Sequence, residues 1–259
     1  MPSLGLITLL FFVSGVIRAS GRSRGWRPPF KPRYRISPID GSKIALPTKE
    51  QLAFQDREIG ALIHFDVATW LSIDGCNSDP SLVPNASLFD PTLINTNQWF
   101  DSVTSLGVKY AALAVKHYCG FASWPSQVTF PTRHGNQRIR YNYTTTDSPL
   151  DGLDVAKEFV DSAREYNVGH GSYYSVVVNN FLNAQKSRVR TSKLSPGRSN
   201  YRSLTKIWFD GGYIAAEKDN IQRLLEAKQP QAVIFNGYDS NGSCVSPISG
   251  IPMFRDATD

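Results

Sequence analysis

Apolar runs alternate along this chain with segments whose apolar residues recur at helical spacing. We predict the runs to be buried strands; they are 59–65 (IGALIHF), 108–117 (VKYAALAVKH), 171–178 (GSYYSVVV), 206–210 (KIWFD) and 232–236 (AVIFN). We predict the periodic segments to be helices; they are 97–106, 153–166 and 214–228. Apolar strands separated by amphipathic helices are typical of a parallel sheet that is covered on both faces.

A doubly wound sheet and a (β/α)8 barrel both fit this alternation. No glycine-rich loop follows the first predicted strand, whereas a nucleotide-binding doubly wound fold usually has one. Polar side chains also end one strand after another; they are His64, Lys116, His117, Tyr173, Tyr174, Asp210 and Asn236. Because the carboxyl ends of barrel strands converge on one mouth, we predict an incomplete α/β (β/α)8 barrel with about five of its strands present.

Asp210 is the strand-end residue with the clearest chemical potential. It directly follows an apolar strand and precedes two glycines, so that its carboxylate is rigidly held and a ligand can approach the backbone. Asp-Gly also starts ordinary turns, and the residues alone leave both interpretations open. Trp208 lies two positions earlier and therefore on the same side of the strand, where it could contact a sugar or fill the barrel core.

The first twenty residues are typical of a signal peptide. Their apolar run, 4–17, is followed by small residues and is too short for a comfortable membrane span. No other stretch approaches that length, so we expect a secreted protein without a membrane span, or one that follows a lysosomal or vacuolar route. Three N-glycosylation sequons, at Asn85, Asn142 and Asn241, agree with export.

Charge and cysteine content exclude some classes of partner and ligand. The net charge of +6 arises partly from a basic cluster near the N-terminus, which we interpret as part of a Pro-rich linker, 21–47, and not as a nucleic-acid-binding face. The three cysteines, Cys76, Cys119 and Cys244, fit no zinc motif. A Cys76–Cys119 disulfide and three unpaired thiols both remain open. No third ligand accompanies the strand-end histidines, so we expect no metal and no cofactor.

Five motifs in a fixed order resemble a known family. They are IGALIHF, KYAALAVKHYCGFASWPS, GSYYS, IWFDGG and AVIFNG, within residues 46–237. Together they resemble the α-L-fucosidases of glycoside hydrolase family 29. The resemblance implies a retaining hydrolase that removes terminal α-L-fucose from fucosylated oligosaccharides or glycoproteins. It makes Asp210 the nucleophile. It also implies a fucose pocket lined by His64, His117, Trp124, Trp208 and one of Tyr173 or Tyr174.

The chain departs from the family pattern in three respects. Tyr118 stands where many members have a second histidine. Segment 179–205 shows no helical pattern, although a right-handed crossover needs a helix there. No carboxylate after Asp210 lies in a family-like acid/base motif, so we leave the acid/base unassigned. Residues 48–237 are accordingly interpreted as a partial catalytic barrel and 238–259 as an atypical tail. The alternative is a truncated, non-catalytic fucose-binding fragment or pseudoenzyme.

Overall fold

The computed structural model describes part of the chain in detail. The described residues are 34–71, 76, 79, 81–131, 138–176, 178–183, 203–210, 221, 225 and 227–236. The predicted signal peptide, the tail at 238–259, Cys244 and Asn241 lie outside the described residues. Most of segment 179–205 and most of the helix predicted at 214–228 also lie outside them.

Nine strands and three α-helices have both of their ends within these residues, and residues 221, 225, 227 and 228 are helical as well. The strands are β1 (Tyr34–Ile36), β2 (Lys43–Ala45), β3 (Gly60–Ile63), β4 (Tyr110–Lys116), β5 (Thr129–Pro131), β6 (Arg138–Arg140), β7 (Gly169–Ser175), β8 (Lys206–Asp210) and β9 (Val233–Asn236). The helices are α1 (Lys49–Gln55), α2 (Thr96–Ser105) and α3 (Val155–Glu165), and short 3-10 turns occupy Val67–Leu71, Ala86–Leu88 and Thr145–Asp147.

The central sheet contains all five strands that the apolar runs predict. Its order is β3-β4-β7-β8-β9, and every neighbouring pair is parallel. Spatial order therefore follows chain order, as it does in a singly wound barrel. A doubly wound sheet would begin in the middle and reverse direction. This order places the carboxyl ends of the strands along one edge of the sheet.

Helices α2 and α3 lie beside this sheet, and their ends fall within two residues of the predicted segments 97–106 and 153–166. The side chain of Asn95 caps α2 by accepting a hydrogen bond from the backbone N–H of Gln98, and Gly107 follows the helix at a φ of 74°. Phe100 of α2 contacts Phe159 of α3 with 5.3 Å between the ring centroids. The apolar stripes of the two helices are thus buried against each other, and α3 also packs on β4 and β7.

Two hairpins and one short helix have no counterpart in the pattern of apolar residues. Strands β1 and β2 form an antiparallel hairpin inside the segment predicted to be a linker. Helix α1 starts at a capping box made by Thr48 and Gln51. Strands β5 and β6 form a second antiparallel hairpin. Elements of three to seven residues are too short to display a hydrophobic period.

A disulfide bond joins Cys76 to Cys119, with 5.1 Å between the Cα atoms. Of the two alternatives that the sequence leaves open, the structure therefore has the Cys76–Cys119 disulfide and not free thiols at these two positions. Asn180 reinforces the same connection, because its side-chain amide donates to the backbone carbonyls of Cys76, Asp79 and Leu82. The loops that follow β3, β4 and β7 are therefore tied together at the carboxyl edge of the sheet.

None of the helices in the described part of the chain has the length and apolar character that a membrane span requires.

Candidate active site

The side chain of Asp210 lies at the last position of β8, on the carboxyl edge of the sheet. Strand β8 alternates between fully buried residues, Ile207 and Phe209, and partly exposed ones, Trp208 and Asp210. The buried pair anchors the strand in the core, so Trp208 and Asp210 share the opposite side, as the period of a strand requires. In register, Asp210 is paired with Ser175 of β7.

Two phenols donate hydrogen bonds to the same oxygen of this carboxylate. The hydroxyl of Tyr173 lies 2.5 Å from Oδ2 of Asp210, and the hydroxyl of Tyr118 lies 3.2 Å from it. Burial raises the pKa of Tyr173 well above the ordinary range for tyrosine, and the bond to Asp210 and its charge add to the effect. Burial and the charge of Asp210 raise the pKa of Tyr118 as well. Both phenols therefore stay protonated and remain donors at neutral pH.

Two histidines lie beside the phenols. His64 and His117 meet edge to face with 5.1 Å between ring centroids, and each lies 5.6 Å from the ring of Tyr173. The ring of His117 also stacks on Tyr118 at 4.6 Å. Burial lowers the pKa of His117, and the nearby Asp66 carboxylate acts in the opposite direction. Among the described residues, Nδ1 of His117 has no hydrogen-bond partner, although the atom is buried.

Trp208 completes this group, which we call the Asp210 cluster: Asp210, Tyr118, Tyr173, His64, His117 and Trp208. Its ring stands perpendicular to that of Tyr173, with 5.2 Å between centroids. The ammonium group of Lys206 also lies 5.0 Å from the Trp208 ring centroid. A carboxylate, imidazoles and an indole ring at one strand edge provide a nucleophile, hydrogen-bonding groups and an apolar wall.

Two predicted site residues lie in a different group. Trp124 and Tyr174 are buried, with 6.3 Å between their ring centroids. The ammonium group of Lys116 lies 5.2 Å from the centroid of the Tyr174 ring. The register between β4 and β7 pairs these two residues. Neither Trp124 nor Tyr174 forms a hydrogen bond or ring contact with the Asp210 cluster within the described residues. Their place in a sugar pocket stays a prediction.

Sequence reasoning did not assign Tyr118 or Asp66 to the site. The sequence marks Tyr118 only as a departure from a family pattern, because its contact with Asp210 depends on the fold of the turn after β4. Asp66 is buried, and its Oδ1 accepts from the backbone N–H of Ala68 at 2.9 Å. The position of Asp66 directly after the motif IGALIHF was the one available signal.

The described residues contain no group of three or more His, Cys, Asp or Glu side chains that could hold a metal ion. The chemistry that the Asp210 cluster can perform with its own groups is nucleophilic attack by a carboxylate, supported by hydrogen bonds to a hydroxylated ligand.

Comparison with known proteins identifies the lineage of this site. A family model described as Alpha-L-fucosidase matches residues 81–244, a span that includes β4, β7, β8 and β9. The chain belongs to the alpha-L-fucosidase family. It is 25% identical over 248 residues to Alpha-L-fucosidase 1 of Arabidopsis thaliana, a match that covers 89% of this chain and 43% of that protein. It is also 27% identical over 92 residues to the tissue alpha-L-fucosidase of Mus musculus, covering 36% of this chain and 18% of the mouse protein.

Solved structures of alpha-L-fucosidases share the fold. The unliganded enzyme AlfC from Lactobacillus casei superposes with a TM-score of 0.56 at 17% identity, covering 77% of this chain and 76% of AlfC. The enzyme from Vibrio sp. strain EJY3 gives a TM-score of 0.54 at 18% identity, covering 74% of this chain and 41% of the other. These matches and the strand order confirm the prediction of a partial (β/α)8 barrel. The chain spans less than half the length of the curated alpha-L-fucosidases that it matches.

Proposed function

We propose that this chain carries the nucleophile and the sugar-binding face of a retaining α-L-fucosidase that removes terminal α-L-fucose from oligosaccharides and glycoproteins. The observation that carries the proposal is the carboxylate of Asp210, held at a strand end by two phenols. Membership of the alpha-L-fucosidase family supports the choice of sugar.

In the first step of the proposed reaction, Asp210 attacks the anomeric carbon of fucose. The new C1–O bond forms as the bond from C1 to the leaving oxygen breaks, and a carboxylic acid protonates that oxygen. Water then attacks C1 while the conjugate base of that acid takes its proton, the C1–O bond to Asp210 breaks, and fucose leaves with its original anomeric configuration. We assign the acid/base role to no residue of this chain.

The remaining residues of the Asp210 cluster suit the sugar itself. His64 and His117 offer ring nitrogens to hydroxyl groups, and the lowered pKa of His117 keeps it neutral near neutral pH. A neutral imidazole both donates and accepts, as does a sugar hydroxyl. Trp208 presents an apolar ring beside these polar groups, which suits the C–H faces and the methyl group of fucose.

The first test separates the nucleophile from the unassigned acid. Turnover of 2,4-dinitrophenyl α-L-fucoside needs no protonation of its leaving group, whereas turnover of 4-nitrophenyl α-L-fucoside benefits from it. We expect Asp210→Asn to lower kcat/KM for the dinitrophenyl substrate by about 1,000-fold or more. Asp161→Asn is the matched control, because Asp161 forms an exposed ion pair with Lys157 on α3. Full turnover in Asp210→Asn would contradict the assignment.

A second variant pair tests the sugar-binding face. His117 and His170 are equally buried, each with 7% of its surface exposed, but only His117 belongs to the Asp210 cluster. We expect His117→Asn to weaken fucose binding in calorimetry by about 10-fold or more, while His170→Asn binds like the wild type. Equal losses in both variants would argue against the pocket. Fucose binding by a folded wild-type chain without turnover of either substrate would favour the non-catalytic alternative.

Export and glycosylation are part of the same proposal. Asn85 and Asn142, the asparagines of two sequons, are both exposed. The amide oxygen of Asn85 accepts from the backbone N–H of Ser87 at 2.9 Å, so its nitrogen remains available for a glycan. Expression in a secretory host should give a protein in the medium whose mass falls on treatment with a peptide-N-glycosidase. Asn85→Gln and Asn142→Gln should each remove one glycan.

A further inference from the structure

Tyr118 binds the carboxylate of Asp210 from the turn that follows β4. Its hydroxyl donates to Oδ2 at 3.2 Å, and Tyr173 donates to the same atom. No described residue donates a hydrogen bond to the other oxygen, Oδ1. Within the described part of the chain the two oxygens of the carboxylate are therefore unequal: Oδ2 has two donors and Oδ1 has none.

The backbone around Tyr118 is held from several sides. Its carbonyl accepts from the N–H of Asn180 at 2.8 Å, and the carbonyl of His117 accepts from the N–H of Gly120 at 3.0 Å. The next residue, Cys119, is joined to Cys76 by the disulfide. The aromatic ring stacks on His117 with an angle of 3° between the ring planes. Such a side chain has little freedom to leave the carboxylate.

We propose that Tyr118 is a positioning residue: together with Tyr173 it fixes Oδ2 of Asp210 and turns Oδ1 towards the anomeric carbon. This inference rests on the proposed function. In the first step Oδ1 forms the bond to C1 while the bond to the leaving oxygen breaks and the electron pair departs with that oxygen. In the second step water adds to C1 and gives its proton to the acid/base, the C1–Oδ1 bond breaks, and the electron pair returns to Oδ1.

The kinetic test removes the hydroxyl group of one tyrosine at a time, from Tyr118, which donates to Asp210, or from Tyr166, which donates to Asp101. Tyr118→Phe should lower kcat for 2,4-dinitrophenyl α-L-fucoside by about 10- to 100-fold, because a misplaced nucleophile loses near-attack geometry. KM should change by less than about threefold, since the ring and its stacking remain. Tyr166→Phe is the control: its hydroxyl donates to Asp101 at 2.6 Å on the exposed side of α2 and α3. It should leave kcat unchanged.

A spectroscopic test follows the same hydrogen bond without turnover. Tyrosine labelled with 13C at the ring carbon that bears the hydroxyl reports ionisation of each phenol. The resonance that Tyr118→Phe removes should titrate above pH 10 in the wild type, because burial and Asp210 raise the pKa of Tyr118. In Asp210→Asn the same resonance should titrate at lower pH. An unmoved resonance would overturn the contact.

The outcomes of these experiments distinguish the positioning role of Tyr118 from the proposed function on which it rests. Loss of turnover in Asp210→Asn with wild-type kcat in Tyr118→Phe would overturn the role of Tyr118 and leave the proposed function intact. Turnover that persists in Asp210→Asn would overturn the proposed function and, with it, the positioning role. A selective loss of kcat in Tyr118→Phe with an unchanged melting temperature, together with the shifted resonance, would support both.

Discussion

Lys116 offers the sharpest prediction about stability. Its side chain is 2% exposed, and its ammonium nitrogen donates to the carbonyl of Ser175 and, at 2.7 Å, to that of Val178. Burial lowers the pKa of Lys116 from its ordinary value of 10.5 to about 7. A neutral amine still has two N–H donors for these two carbonyls, so deprotonation does not abolish the contacts.

The sign of the pH dependence follows from proton binding. Between pH 7 and pH 10.5 the unfolded chain holds a proton on Lys116 that the folded chain lacks, so the free energy of unfolding rises with pH in this window. Each pH unit contributes at most about 1.4 kcal/mol. Over the full window the contribution amounts to about 5 kcal/mol, present above pH 10.5 and lost as the pH falls to about 7.

Urea unfolding of the wild type and of Lys116→Met at pH 7, 8, 9 and 10 measures this effect directly. Titration of all other groups cancels in the difference between the two proteins. We expect the stability of the wild type relative to the variant to grow with pH. Lys157→Met is the control: a hydrogen bond to Asp161 raises the pKa of Lys157, so the contribution of Lys157 is fully present below pH 10.5 and constant across the range. Parallel stability curves for wild type and Lys116→Met would refute the reasoning.

Two further predictions concern the turn that carries Tyr118. Replacing both Cys76 and Cys119 by serine should lower the free energy of unfolding by about 4 kcal/mol, because the disulfide closes a loop with a sequence separation of 43 residues. Urea unfolding measures this loss and should show that a reductant no longer affects the variant. A variant as stable as the wild type would contradict the prediction. Gly120→Ala should lower the melting temperature more than Gly107→Ala does. Both glycines have a positive φ, but a methyl group at Gly120 would overlap Oδ1 of Asn179, whereas no atom lies within 4 Å of a methyl group at Gly107. Equal losses would show that the overlap at Gly120 is relieved without cost.

The strands of the central sheet could be predicted because each is apolar over most of its length, although β3 and β8, unlike β4 and β7, are not largely buried on both sides. The run 206–210 coincides with β8, and the other apolar runs overlap β3, β4, β7 and β9. Burial on two faces makes a strand apolar along its length, and this signal needs no knowledge of its partners. The hairpins β1–β2 and β5–β6 carry no such signal, because strands of three residues with exposed positions have neither an apolar run nor a clear alternation.

The composition of the site was only partly predictable for a related reason. Strand ends converge in any parallel barrel, so the approach of His64, His117 and Asp210 follows from the order of the elements. The contact between Tyr118 and Asp210 depends instead on a turn that a disulfide and Asn180 hold in place. These constraints join residues that are far apart in the sequence, and no local pattern records them.

Sheet register explains which of two adjacent tyrosines reaches Asp210. The sequence offers Tyr173 and Tyr174 as equals, yet neighbours in a strand point to opposite faces. The register of β7 with β8 pairs Tyr173 with Trp208, so that Tyr173 shares the face of Asp210. Tyr174 faces the other way, where the irregularity in β4 after Ala114 brings it opposite Lys116. A slip of one residue between β7 and β8 would exchange the two tyrosines, so the buried contacts that fix this register also fix the second donor to Asp210.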